Sequence, residues 1–219
     1  MPIRLPVKEL WAEARNPSPK TFHFEDAKCR LTPVGTAGTK GQYLLVEAAP
    51  LDHQKFLSGF GVTPASRFLL VLPREEHAKG FSERKPGRGP RFAVPLDYFP
   101  GAIGITRFEP ITHGYNVGWV HGIKSKDYQV TPWTARHYGN WFTHSFERIF
   151  ERAVRTNAQT VQFNATNATP TIKAAFRKAA QQAGLEKISE TTLNIGETLG
   201  GTPVSLTKLV ARRPTAYSV

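Results

Sequence analysis

The chain has 219 residues, with 29 Lys and Arg against 17 Asp and Glu, for a formal net charge of +12. Charged residues at 21 % and hydrophobic residues at 40 % are ordinary for a chain that folds, and they exclude a wholly disordered polyampholyte. The single Cys29 excludes an internal disulfide, and no apolar run reaches the roughly 20 residues that a membrane-spanning helix needs.

Residues 1–20 hold Pro2, Pro6, Pro17 and Pro19 around one helical turn over 7–15, whose apolar contacts are Leu10 and Trp11. They read as a proline-rich arm, and its own body is the expected partner for Trp11, since an indole combines a large apolar area with a polar edge. Residues 21–219 read as a single α/β domain. Short β-rich runs separated by Gly and Pro fill 21–130, with the clearest strands at 43–46 and 68–72 and further ones at 102–108 and 117–123. A short helix is expected over 51–57. The stretch 79–91 carries Arg84, Lys85, Arg88 and Arg91 among glycines and prolines, so it is expected to be an irregular basic loop. Those four cations are the candidate nucleic-acid contacts, because clustered basic charge is the footprint of phosphate-backbone binding.

From 134 to 156 the apolar residues Tyr138, Phe142, Phe146, Ile149, Phe150 and Ala153 recur every three or four positions, which predicts a core-packing helix. Thr160-Val161-Gln162-Phe163 is a strand, followed by a polar turn holding Asn164 and Asn167. Thr169 before Pro170 is a helix N-cap with proline at the first helical position. Ile172, Ala175, Phe176, Ala179 and Ala183 form that helix's buried stripe, and Gly184 ends it. Strands over 186–195 and 204–211 close the chain as an antiparallel pair. The fold class is α/β (α+β), a mixed, mainly antiparallel sheet flanked by helices.

This order resembles the GNAT superfamily of acetyl-CoA-dependent N-acetyltransferases over roughly residues 116–211, with the core of the domain at about 100–211. Val130-Thr131-Pro132 precedes Arg136-x-x-Gly139-x-Trp141, which is similar to the family's phosphate-binding turn of pattern Gln/Arg-x-x-Gly-x-Gly/Ala. The resemblance implies acetyl-CoA as cofactor, with Arg136, His137, Gly139 and Asn140 seating its pyrophosphate at a helix N-terminus and Asn167 beside the acyl arm. It also implies a base on the strands before the turn, where Glu109 and His121 are the first candidates and His113 and Asp127 the others. Two positions depart from the family pattern. Trp141 replaces the small residue that lets the backbone approach the pyrophosphate, and Phe176 stands where a proton-donating tyrosine is frequent.

Two functions therefore compete: an acyl-CoA-dependent N-acyltransferase, and a non-catalytic basic component of a nucleic-acid-containing assembly, such as a virion or ribosome-like particle, in which other subunits and a polyanion are the partners. The expected location is the cytoplasm or the inside of a particle. The seven histidines show no metal-ligand spacing, and neither a phosphate-binding Gly-x-x-x-x-Gly-Lys loop nor a Gly-x-Ser-x-Gly elbow occurs. Asn164-Ala165-Thr166 and Asn167-Ala168-Thr169 match the glycosylation pattern by chance.

Overall fold

The computed structural model describes residues 3, 5–15, 24–25, 29–51, 61–74, 98–122, 140–166, 168–198 and 201–214. They fall into two compact units, Met1–Thr106 with His121–Trp141, and Arg107–Val120 with Phe142–Val219. Strands β5 (Gly104–Ile111) and β6 (Gly114–Gly122) contribute residues to both.

The first unit holds α1 (Val7–Ala14) and strands β1 (Phe24–Glu25), β2 (Cys29–Ala37), β3 (Tyr43–Pro50) and β4 (Arg67–Pro73), hydrogen-bonded in the order β1-β2-β3-β4-β5. All six residues from Phe68 to Pro73 are buried, as a central strand covered on both faces requires. β2 was legible only as part of a Gly- and Pro-punctuated region. Its register with β3 shifts between Pro33 and Gly35, and a bulge is where a strand tolerates a proline without N–H and a glycine at φ 140°. The arm packs on its own unit: Leu10 and Trp11 are buried, and the Trp11 indole Nε1 donates to the Pro73 carbonyl at 3.1 Å. The expected helix over 51–57, apart from Leu51, and the basic loop over 79–91 lie outside the described residues.

The second unit carries α2 (Trp141–Arg155, from Phe142 on), β7 (Thr160–Thr166), α3 (Pro170–Gln182), β8 (Lys187–Glu197) and β9 (Pro203–Arg212). Its strand neighbours are β5-β6-β7-β9-β8. β7 is antiparallel to β9 and β9 to β8, whereas β6 and β7 run parallel. The sheet is mixed and mainly antiparallel, as the sequence indicates.

α3 begins as its residues dictate. Pro170 opens it, and the Thr169 hydroxyl oxygen accepts from the Ile172 N–H at 3.3 Å. Phe176, on the buried stripe, packs against Phe146 and Phe150 of α2 and Phe163 of β7, with ring centroids 5.6, 5.2 and 5.9 Å away. These four rings hold both helices to one face of the sheet, since burying each removes a large apolar area from water. On the same face the Glu190 carboxylate of β8 accepts from Lys173 at 2.7 Å and also from Arg177, tying α3 to the outer strand.

The turn expected after Phe163 begins later. β7 continues to Thr166, because β9 keeps pairing with it through Thr166↔Leu206, so Asn164 is a strand residue and not a turn residue.

Candidate functional site

β6 and β7 are paired for only part of their length. Their parallel register runs from Gly114↔Thr160 to Val117↔Phe163 and stops there. β6 nevertheless extends to Gly122, and β7 to Thr166 on the support of β9. Two adjacent parallel strands that part midway turn peptide edges toward each other beyond the last rung, where an extended ligand bearing amide groups can pair with them.

The side-chain period of two puts Arg107 and Glu109 of β5, Asn116 and Gly118 of β6, and Asn164 of β7 on one face. The helices cover the other. On the first face runs a chain of hydrogen bonds. Arg107 donates to Glu109 Oε2 at 3.0 Å, Asn116 Nδ2 to Glu109 Oε1 at 3.2 Å, and Asn164 Nδ2 to Asn116 Oδ1 at 2.8 Å. The chain reaches the strands at the place where they part. A Cβ at Gly118 would stand 3.2 Å from an Arg107 guanidinium nitrogen, so the missing side chain leaves room for the guanidinium to lie across β6. The Arg107 and Glu109 side chains are 12 % and 19 % exposed, which makes this a largely desolvated ion pair that depends on its hydrogen bonds.

Of the expected site residues, Glu109 lies in this network. His113 sits at the β5–β6 turn, where its backbone carbonyl accepts from Gln159 and Thr160 N–H groups at 2.9 and 3.1 Å. His121 is a half-buried residue of β6 in the first unit. Asn140 is exposed immediately before α2. Arg136, His137, Gly139, Asp127 and Asn167 lie outside the described residues, as do Arg84, Lys85, Arg88 and Arg91. Arg107, Asn116 and Asn164 were missed as a set. Their only signal was polar residues at alternate positions of half-buried strands, and nothing local says that three strands bring them together.

Trp141 has a definite place. It is 8 % exposed, and its ring lies over two glycines: a Cβ at Gly104 would come inside 3.0 Å of its Cε3, Cδ2 and Cζ3 atoms, and one at Gly122 inside 3.0 Å of Cζ2, Cε2 and Nε1. The indole is a core side chain of the first unit, laid across β5 and β6 where both strands lack side chains. Phe176 is fully buried in hydrocarbon. Among the described residues, no group of three or more His, Cys, Asp or Glu side chains is placed to hold a metal ion, and no helix is long and apolar enough to cross a membrane.

The element order, the parted parallel pair and the helices on one face make this an α+β protein of GNAT-like fold. No family model and no curated protein matches the chain. Solved structures that resemble it are acetyltransferases. The ribosomal-protein-S18-alanine N-acetyltransferase of Escherichia coli is 8 % identical, with 78 % of this chain and 83 % of that one covered at a TM-score of 0.43. Spermidine N-acetyltransferase of Vibrio cholerae, in complex with CoA and spermine, is 11 % identical over 68 % of this chain and 66 % of its own at 0.37. A Sphaerobacter thermophilus protein assigned as an acetyltransferase is 10 % identical over 87 % and 98 % at 0.38. These are likenesses of shape at low overlap.

Proposed function

We propose that this chain binds an acyl-coenzyme A in the opening between β6 and β7 and transfers the acyl group to an amine. The observation that carries this is the parting of the parallel pair after Val117↔Phe163, with the Trp141 indole laid on Gly104 and Gly122 and so directed into the core. The residues present fit the group: the peptide edges of 118–120 and 164–166 suit its extended amide-bearing arm. Acetyl-CoA, when bound, supplies a thioester carbonyl as the acyl donor.

The chain's own contribution is positioning and proton transfer. Glu109 Oε2 accepts from Arg107 and Oε1 from Asn116, and an ionised carboxylate in that setting is the group of this network suited to take a proton from an ammonium group, directly or through one water. Arg107 and Asn116 hold it in one orientation, which reduces the reorganisation that proton transfer demands. Phe176 has no proton to give the departing sulfur.

Calorimetric titration with acetyl-CoA and with CoA tests this reading. Binding in the micromolar to sub-millimolar range is expected, and no heat at millimolar ligand overturns it. Given binding, Glu109→Gln is expected to leave the affinity within about twofold and to lower turnover of an amine acceptor by about 100-fold or more. A second reading, a non-catalytic basic component of a nucleic-acid assembly, is favoured by the buried Phe176 and the net charge of +12. It requires retention on duplex DNA or RNA that falls steeply as salt rises.

A further inference from the structure

A second surface lies within the second unit, on the face of β7, β9 and β8 turned away from α2 and α3. Residues paired directly across antiparallel strands share a face, so Asn164↔Lys208, Thr191↔Lys208 and Lys187↔Arg212 set these cations on the side of the Asn164 amide. Ser189 stands between Lys187 and Thr191 on the same side. Lys187, Ser189, Thr191, Lys208 and Arg212 are all exposed. β8 is the outermost strand at this end of the sheet, so the face can also be approached from its side.

The charge on this face is one-sided. β8 and β9 bring three cations to it and no carboxylate: Glu190 is on the helix side, bound to Lys173 and Arg177, and Glu197, opposite Pro203 beyond the bulge, shares the side of the buried Thr207. Glu109, farther across the sheet, is already paired with Arg107. Through their side chains, Lys187, Lys208 and Arg212 make no ion pair or hydrogen bond among the described residues. Lys187 and Arg212 are nonetheless directly opposite one another, and like charges so placed destabilise a sheet unless an anion lies between them. Lys208 stands four residues from Arg212 along β9, a distance of about 13 Å at the rise of an extended strand. The Ser189 and Thr191 hydroxyls lie along the same stretch as hydrogen-bond donors. Cations and hydroxyls without carboxylates make up a phosphate-backbone contact. No aromatic side chain of β7, β8 or β9 is on this side, so unpaired bases have nothing to stack on.

We propose that this face binds the phosphate backbone of a duplex nucleic acid without reading its sequence, through Lys187, Lys208 and Arg212. The occupant follows from charge complementarity. A duplex carries one negative charge per about 1.7 Å of its axis, so its phosphates meet cations about 13 Å apart in any register, whereas an acidic protein must match them with one particular arrangement. The proposal rests on the nucleic-acid reading of the function and not on acyl transfer, and it places the contact on the sheet, on residues other than Arg84, Lys85, Arg88 and Arg91.

Fluorescence anisotropy of a labelled DNA duplex of about 20 base pairs, titrated with the full chain between about 50 and about 200 mM salt, tests it. The parent is expected to bind with an affinity that falls as salt rises. Lys187→Gln, Lys208→Gln and Arg212→Gln together should lower the slope of log affinity against log salt by about 2.7, at about 0.9 per cation, and weaken binding at the lowest salt about tenfold or more. Lys8→Gln, Arg155→Gln and Lys178→Gln together remove the same charge from exposed positions elsewhere and should lower the slope by less than about 1. All six side chains are exposed, and unchanged thermal melting confirms that each variant is folded. A parent that does not bind duplex at about 50 mM salt overturns this inference and the nucleic-acid reading together. A parent that binds, while the first variant keeps its slope or loses no more than the second, overturns the inference alone. Loss of binding to phosphatidylserine vesicles in the first variant, with duplex binding kept, assigns the face to a membrane surface and overturns it equally.

Discussion

The Trp141 contact makes a demand on two glycines that can be measured. Replacing Gly104 by alanine puts a methyl carbon inside 3.0 Å of three indole atoms, against an ordinary contact of 3.4 Å or more. The indole cannot relieve this at its tip, because its opposite edge rests on Gly122 in the same way. Either the whole ring lifts off the sheet, losing contacts with both strands, or β5 bends. Overpacking of a well-filled core costs about 1–3 kcal/mol, and a clash with a rigid ring belongs near the top of that range, about 2–3 kcal/mol. For a chain of this length such a loss lowers the melting temperature by about 5–10 °C. Urea unfolding followed by tryptophan fluorescence reads it as a lower midpoint with unchanged slope. Gly104→Ala with Trp141→Phe should then be more stable than the sum of the two single losses, since a smaller ring leaves room for the methyl group. If Gly104→Ala unfolds at the parent's midpoint, the indole is not packed on β5, and the directed-into-the-core placement that supports the cofactor reading is lost with it.

At Gly114, the first rung of the parallel pair, a Cβ would meet the backbone carbonyl of Thr160, which cannot rotate away. Gly114→Ala is therefore expected to cost more than Gly104→Ala, about 3 kcal/mol or more by urea titration, and an equal or smaller loss refutes the register. Asn164→Ala removes the donor that Asn116 accepts from and should cost about 1 kcal/mol; acetyl-CoA affinity that also falls would place the ligand at the end of the polar chain. Glu190 has its pKa lowered, first by the hydrogen bond from Lys173 and then by the charges of Lys173 and Arg177. A lowered folded value means stability present above the unfolded carboxylate value of 4.5 and lost as pH falls through the folded one. Because the group is exposed, Glu190→Gln should cost only a few tenths to about 1 kcal/mol at pH 7 and nothing near pH 2, and a pH-independent difference refutes the pairing. Charge reversal at Arg84, Lys85 and Arg88 together should weaken retention on duplex DNA and flatten its salt dependence, if those cations are the contact.

The second unit was more legible than the first, for a physical reason. Its helices announce themselves through local signals: the three-and-four spacing of Phe142, Phe146, Ile149, Phe150 and Ala153, the Thr169 cap, the Pro170 start and the Gly184 stop all act within a few residues of where they are read. β2 was not visible as a strand because Pro33 and Gly35 carry the local signature of a turn, and only the pairing with β3 makes them a bulge. The end of β7 was misplaced likewise, since Asn164, Ala165 and Thr166 have little strand character of their own and are held by β9. For the candidate site, Glu109 could be named from type and position. Its partners could not, because Arg107, Asn116 and Asn164 meet it through registers that sequence periodicity leaves undetermined.

The two departures from the acetyltransferase pattern now have different weights. Trp141 looked like an obstruction of the phosphate turn, since a bulky side chain there competes with the ligand for space. The glycines at 104 and 122, distant from it in sequence, remove that objection by giving the ring another place to lie. Phe176 has no such resolution: it is fully buried, its ring edges and face are engaged by three other phenylalanines, and no tyrosine occurs on α3. Ligand binding and turnover therefore rest on separate features. Titration with CoA interrogates the parting of β6 and β7 and the placement of Trp141, while any rate of acyl transfer interrogates Glu109 and whatever protonates the sulfur in place of a tyrosine. A protein that binds CoA and transfers nothing would keep the first proposal and discard the second, and in that case the buried Phe176 is the residue that explains the difference.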